Sequence, residues 1–324
     1  MGPLTFRALR LLADGRFHSG AEVASSLDRS RATLSEALKG AAAMGVEIFA
    51  VPGKGYRLAQ PVEFLDAHAI VSRLGPDAAR VRLVILDEVD STSTRLSQMA
   101  QAGSPSGTCV VAEWQRAGRG RRGRGWEAGL GASLTFSMLW RFEQGPGHLG
   151  GLPLAVAVAV ARALERSGVR GVGVKWPNDL VFDWKKLGGI LVETSGEMLG
   201  PATAVVGVGI NYRLGNSLAR RIDQPVTDLA CLGEPPPPRN ALLADLVAEL
   251  AAALERFGRD GFAAFREDWK ARHAYAGRTV TVLAGGEPPR EARVVDVADD
   301  GALVVVAAGL TSRLTSAEIS LRPA

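Results

Sequence analysis

The sequence is poor in the features that mark several protein classes. Of its 324 residues only two are cysteines, Cys109 and Cys231, and they lie far apart. There is no CxxC and no Cys/His cluster, so neither a disulfide framework nor a structural zinc is expected, and no metal site is assigned. The two thiols are expected to be packed and reduced. Long apolar runs are missing too. The most hydrophobic stretch, Gly150 to Ala161, ends at Arg162 and is too short to span a bilayer. The first fifteen residues lack the apolar core and small-residue cleavage site of a secretory signal. These absences predict a cytoplasmic protein with no membrane partner. The phosphate-cradling pattern GxxxxGK[ST] is absent, which argues against ordinary P-loop chemistry. None of the four histidines, His18, His68, His148 and His273, sits in a motif, and no Ser/His/Asp or Cys/His arrangement is visible.

What is present is ordinary globular composition, 47% hydrophobic and 22% charged, with length for one to three domains. The net charge of +4 is unevenly placed. Residues 1–60 hold eight Lys/Arg against five Asp/Glu (+3), and the remainder holds thirty against twenty-nine (+1). The excess hints at a polyanionic partner for the first segment.

Three regions differ in pattern. In the first, Phe6, Leu9 and Leu12 recur at helical spacing, and Ser19 with Glu22 reads as a capping box opening a second helix. A third helix starts near Ser30 with Leu34 and Leu38 on one face. Val46–Val51, the turn Pro52-Gly53-Lys54-Gly55 and Tyr56-Arg57-Leu58 complete a winged helix-turn-helix order over 1–61. From 62 to 275 strands and helices alternate. Strands are expected at Val81–Leu86, Cys109–Trp114, Ser133–Trp140, Val172–Val174, Ile190–Glu193 and Ala204–Ile210. Helices are expected at Pro153–Leu164, Asn240–Phe257 and about Gly261–Ala271. Over 276–324, four short strands punctuated by glycines suggest a small SH3-like β-barrel. The fold class is a mixed α/β (α+β) catalytic domain between these two flanking modules.

Three constellations could carry chemistry. The segment Gln115–Trp126 alternates five arginines with four glycines between two apolar strands. Glycine permits close backbone approach and arginine offers forks for phosphate and carboxylate, so a loop closing over an anion is one reading. An RGG-like RNA-binding tract and a plain solvated loop are the others. The match Gly118-x-Gly120-x-x-Gly123 is not read as a dinucleotide fingerprint, because a strand and not a helix follows. The second constellation is Lys175-Trp176-Pro177-Asn178-Asp179 with Lys185-Lys186-Leu187-Gly188-Gly189. It is either a hairpin with an exposed lysine pair or a turn aiming Asn178 and one lysine into a cleft. The third is Asp90-Ser91-Thr92-Ser93. It caps a following helix and also offers hydroxyls to a polar heterocycle.

Ser91-Thr92-Ser93, the run Gly118–Arg124 with Trp126, KWPND at 175–179, KLGGIL at 186–191 and Gly209-Ile210-Asn211 occur in this order between two flanking modules. On these residues the whole chain resembles the bifunctional biotin protein ligases, which double as biotin operon repressors. The resemblance implies an AMP-forming ligase that makes biotinyl-5′-AMP from biotin and ATP with Mg2+, then biotinylates a lysine of a biotin carboxyl carrier protein. Biotin and ATP are then substrates, with no tightly bound prosthetic group. It further implies a biotin site formed by Ser91, Thr92, Ser93, Gln115, Gly118, Arg119, Gly120, Arg121 and Lys186. The reaction would be carried by Lys186, Arg119 and Arg121. ATP would be held by Arg122, Arg124, Trp126, Asn178, Asn211 and Arg322. Ser93 departs from the asparagine usual in the family. Operator DNA would be met by Arg31, Thr33, Ser35 and Lys39, where Glu36 places an acid among phosphates. A single recognition helix per monomer implies a ligand-promoted homodimer. The rival expectations are a ligase with an idle N-terminal domain, a biotin-sensing DNA-binding protein without ligase chemistry, and a lipoate ligase relative.

Overall fold

The structure is a computed structural model that describes residues 2–197, 200–284, 288–315 and 319–323. For residues 216, 217, 284 and 319–323 it describes the backbone only. Three helices open the chain, α1 (Pro3–Leu11), α2 (Gly20–Ser26) and α3 (Arg31–Lys39), followed by the hairpin β1 (Ile48–Val51) and β2 (Gly55–Leu58). Phe6, Leu9, Leu12, Val23, Leu27, Leu34 and Leu38 are buried together, as their helical spacing requires. Ser30 caps α3 by accepting the Thr33 amide at 3.2 Å. The capping box expected at Ser19 does not form; its side chain makes no cap bond. Entry to α2 is fixed instead by a two-way backbone pairing of His18 with Tyr56, both bonds 2.9 Å. That pairing brings the wing so close that a Cβ on Gly55 would lie 1.9 Å from the His18 carbonyl, so the position demands glycine.

The central region runs α4 (Ala67–Leu74), β3 (Arg82–Val89), α5 (Thr92–Gln101), β4 (Thr108–Gln115), β5 (Gly118–Arg119), β6 (Gly125–Trp126), β7 (Ser133–Phe142) and α6 (Leu152–Arg166). It continues with β8 (Gly173–Lys175), β9 (Asp179–Phe182), β10 (Lys185–Gly196), β11 (Ala202–Asn211), α7 (Gly215–Ala219), α8 (Arg239–Asp260) and α9 (Arg266–Arg272). Seven strands form one sheet in the order β3-β4-β7-β11-β10-β9-β8. Only β3 and β4 are parallel among these neighbours. One face is covered by α6 and α8, whose apolar residues join Phe136, Met138, Val206 and Val208 in the main core. The other face packs Leu96 of α5 on Val110, Leu139 and Val205. With both faces covered, β4 is buried along its whole length.

Two expectations are corrected here. The single hairpin expected between Val172 and Ile190 is two hairpins, because β9 intervenes and a second turn at Asp183-Trp184 reverses the chain. A tryptophan stands where such turns have glycine, so the usual local signal for a two-residue turn is incomplete. The thiols are not both packed. Cys109 is buried, and burial pushes its pKa up to about 12, whereas Cys231 is exposed.

The last strands are β12 (Thr279–Ala284), β13 (Arg290–Val297), β14 (Leu303–Ala307), β15 (Leu310–Leu314) and β16 (Ile319–Pro323), ordered β15-β14-β13-β12-β16. This small antiparallel sheet holds one strand more than the four expected. It is tied to the centre by the Trp176 indole donating to the Gly301 carbonyl at 3.0 Å and by Arg266 donating to Asp296 at 2.6 Å. The N-terminal module is joined too. Trp114 and Leu130 of the central domain belong to its core cluster, and the Leu130 amide donates to the Met44 carbonyl. The connector that follows is clasped by Arg239. Its guanidinium bonds the Glu63 carbonyl and, at 3.0 Å, Glu113, an ion pair removed from solvent. No described helix is long and apolar enough to cross a membrane.

Candidate active site

Strand alternation builds the floor. On β7, Ser133, Thr135 and Ser137 share one face; on β11, Gly207, Gly209 and Asn211 do so. The register sets Ser137 opposite Gly207, Thr135 opposite Gly209 and Ser133 opposite Asn211. On the other side of β11, Gly207 faces Leu191 and Gly209 faces Gly189 of β10. A patch of glycines and small hydroxyls is therefore cut into an otherwise apolar sheet. It lies beside the N-terminus of α5.

At one end of this floor is a buried polar cluster. Ser91 is the N-cap of α5 and accepts the Thr94 amide at 3.4 Å. The Gln115 side-chain carbonyl accepts the Thr92 amide at 2.8 Å and the Thr92 hydroxyl at 3.1 Å. Thr92 and Ser93 each lie within 3.0 Å or less of the Ser137 hydroxyl. Ser93, although not the family's asparagine, is inside the cluster. Gln115 sits at the end of β4, so its position is set by the sheet and its orientation by a helix terminus.

Over the other end lies the arginine segment, which is a hairpin and not an open loop. β5 pairs with β6, and the turn between them carries Arg122 and Gly123 at positive φ. Trp126 is laid on the glycine floor. A Cβ on Gly209 would lie 2.6 Å from its ring, and one on Gly189 would lie 3.3 Å away. Gly118 is equally constrained, since its Cβ would come within 2.5 Å of the Trp126 carbonyl. The indole N–H of Trp126 is buried without a hydrogen-bond partner among the described residues.

The five arginines divide by partner. Arg116 pairs with Glu88 and Asp90 at the hairpin's entry. Arg119 makes a two-pronged bond to Glu193, at 2.6 and 3.1 Å, with Thr94 adjoining. Arg121 turns inward and donates to the Asn178 side-chain carbonyl at 3.1 Å. Burial, followed by repulsion from Arg122, lowers its pKa, and an arriving anion would favour its charged form. Arg122 and Arg124 are exposed, and Gly120 bonds Arg124 across the turn.

Lys186 lies below this hairpin. Its ammonium is 2.8 Å from Asp179 and 5.8 Å from the Trp126 ring centre, on a half-buried side chain. Lys185 is exposed, so the lysine pair divides between cleft and solvent. Asn178 holds the turn by donating to the Ile190 carbonyl at 2.7 Å. Asn211 is buried and donates to the carbonyls of Lys186 and Thr227. Asn211 therefore pins the backbone that carries Lys186. The backbone of Arg322 pairs with Thr281, and its side chain lies outside the described residues.

Four participants escaped the sequence reading. Asp179 stood inside a quoted motif but was given no role. Glu193 and Ser137 looked like ordinary strand residues. Gly207 lay two residues before a noted glycine, and its period-two spacing was the one available signal. Among the described residues no group of three or more His, Cys, Asp or Glu is placed to hold a metal ion. On α3, Arg31, Thr33 and Lys39 are exposed and Ser35 is half-buried; Lys39 is 2.7 Å from Glu36.

Comparisons with known proteins give the family of the chain. Residues 86–211 match the biotin/lipoate A/B protein ligase family, residues 5–57 an HTH domain, and residues 275–322 the biotin protein ligase C terminal domain. The bifunctional ligase/repressor BirA of Salmonella typhimurium is 39% identical, covering 99% of this chain and 98% of that protein. BirA of Escherichia coli is 38% identical over 98% of this chain and 97% of its own length. A solved structure of the biotin protein ligase of Aquifex aeolicus, in complex with biotin and ATP, superposes with a TM-score of 0.64 at 30% identity. It covers 75% of this chain and 99% of its own. With a glycine-floored cleft under an arginine hairpin, and relatives matched end to end, the chain belongs to the biotin protein ligase family.

Proposed function

We propose that this protein is an ATP-dependent biotin protein ligase that also represses transcription as a ligand-promoted homodimer. In the first half-reaction the biotin carboxylate oxygen attacks the α-phosphorus of ATP. The bond to the bridging oxygen breaks, pyrophosphate leaves, and biotinyl-5′-AMP remains. In the second, the amine of a lysine on a biotin carboxyl carrier protein attacks the acyl carbon, AMP leaves, and the amine loses a proton. Magnesium enters with the nucleotide as part of the substrate.

The chain's own residues fit both halves. The cluster of Ser91, Thr92, Ser93, Gln115 and Ser137 offers donors and acceptors in a buried setting, as a ureido ring requires. Gly118 and Gly120 let the hairpin backbone approach the valerate chain and the phosphate. Arg119, Arg121 and Lys186 would meet the carboxylate and α-phosphate, where charge builds up in both steps. For this Lys186 exchanges Asp179, and Arg119 exchanges Glu193, for substrate oxygens. Trp126 brings an indole N–H that lacks an acceptor among the described residues, and Asn178, Asn211, Arg122 and Arg124 would join it on the nucleotide side. Arg322 would complete that side from the terminal sheet.

The observation that carries the reading is the Lys186 ammonium, ion-paired with Asp179 and 5.8 Å from the Trp126 ring centre, beneath the hairpin that carries Arg121. Biotin-dependent exchange of pyrophosphate into ATP tests it. Exchange with biotin and none with lipoate is expected; no exchange would leave a biotin sensor without ligase chemistry. For the repressor role, Arg31, Thr33, Ser35 and Lys39 would contact operator DNA. Sedimentation should show dimers when biotin and ATP are both present, and an unchanged monomer would refute the coupling. The acid Glu36, exposed on the same helix as the four contacts, favours a second reading, an idle N-terminal domain, because it would repel phosphate. Under that reading Arg31→Glu leaves promoter occupancy unaltered.

A further inference from the structure

The turn joining β9 to β10 breaks a local rule. Asp183 and Trp184 both have positive φ, +47° and +63°. Two-residue hairpins of this kind are normally made by asparagine or aspartate followed by glycine, so Asp183 fits, but a bulky residue in the left-handed region is an outlier. Yet tryptophan stands here, and it remains 42% exposed.

The ring is not loose. It meets Tyr275 edge-on at 5.4 Å, and the Arg278 guanidinium lies 4.4 Å from its centre. Lys175 lies over the Tyr275 ring at 5.5 Å. Arg278 is exposed beside the ring, Lys185 is the exposed residue that follows Trp184 in the chain, and Asp183 is the acid at the tip. The patch is one exposed ring, Trp184, seated on the buried Tyr275 and bordered by cations, between the β9–β10 hairpin and the start of the terminal sheet. The same hairpin carries Asp179 and Lys186. Tyr275 also lies close enough to Asp179 for that carboxylate to raise its pKa, after burial as the larger cause. The patch therefore borders the reacting centre.

We propose that Trp184 and Arg278, backed by the buried Tyr275, dock the acceptor carrier protein through an acidic face next to its target lysine. The proposal rests on the ligase reading above. An acceptor amine can reach the acyl carbon only if its protein lies over an element flanking Lys186, and this hairpin is such an element. A rigid, half-exposed aromatic among cations is the kind of anchor that interfaces use. Its awkward backbone persists although a glycine or asparagine would suit the turn better, which points to a role other than folding.

The test uses the full chain with Trp184→Asn and, separately, Arg278→Glu. Asparagine tolerates the left-handed turn, so the first variant should fold at least as well as the parent. Three rates are measured: biotin-dependent pyrophosphate exchange, release of the preformed adenylate to hydroxylamine, and transfer to apo biotin carboxyl carrier protein. The first two should stay within about twofold. Transfer to the carrier should lose about tenfold or more in kcat/KM, chiefly through KM, as for loss of an interface anchor. For Arg278→Glu the loss should shrink as salt is raised. Unchanged kcat/KM for the carrier in both variants overturns the proposal. So does a raised KM for ATP, which would make the patch a nucleotide platform, or a shift in the monomer–dimer balance, which would make it a self-association surface. Failure of pyrophosphate exchange in the parent protein would instead sink the ligase reading.

Discussion

Adding one methyl group at Gly209 should separate the two ends of the cleft. Gly209 does not have positive φ, so alanine is tolerated by the backbone there. The new Cβ, however, would sit 2.6 and 2.7 Å from two ring carbons of Trp126. Ordinary carbon contacts lie near 3.5–4.0 Å, so the indole must retreat by roughly 1 Å. It cannot slide freely, because its backbone pairs with Gly118 and its ring also lies over Gly189. Overpacking of this kind costs about 1–3 kcal/mol. If the indole serves the adenylate, the KM for ATP in pyrophosphate exchange should rise by about 5- to 150-fold. The KM for biotin should move by less than about twofold. Gly207→Ala is the matched control, since its Cβ would lie 2.7 Å from the Ser93 hydroxyl and not near Trp126. A hydroxyl yields more easily than a ring, so a smaller effect is expected, on the KM for biotin. Thermal melts would confirm that both variants fold. If Gly209→Ala weakens biotin and spares ATP, or both variants act on one substrate, the division of the floor is wrong.

Three further outcomes are expected. Lys186→Ala should reduce adenylation by about 10²–10³ if the ammonium stabilises the transition state; near-normal exchange would remove Lys186 from the chemistry. Arg239→Met should destabilise the fold by about 3–5 kcal/mol in urea titrations, because Glu113 is left buried without its counter-charge. Adding Glu113→Gln should restore part of that loss, and strict additivity would refute the coupling. Burial holds the His273 pKa down to about 4 from 6.5. The unfolded chain then binds a proton that the native state refuses, so stability is fullest above about pH 6.5. It declines towards pH 4 by up to about 3 kcal/mol. His273→Phe, which can keep the stack on Trp269, should flatten that slope in stability measured against pH.

Much of the architecture was legible along the chain, because helical and strand periodicities are local. The leucines of α1–α3 marked one face each, and the apolar runs of β4, β7 and β11 marked strands. The motif segments were visible as well, since glycine and arginine have few reasons to alternate inside a domain. The turn at Asp183-Trp184 was hidden, because a tryptophan stands where such turns have glycine and only its neighbours hold it in place.

By itself the sequence determined the order of the three regions, the faces of the elements and the presence of a glycine- and arginine-rich segment between two apolar strands. Only the tertiary structure decided which residues share a surface. The stacking of Gly189, Gly209 and Thr135 across three strands comes from register, which no single segment encodes. The same holds for Arg119 meeting Glu193, Lys186 meeting Asp179 across a hairpin with an unsignalled turn, and Arg239 clasping Glu63 and Glu113. These pairings depend on how distant segments pack, and that packing is a property of the whole chain.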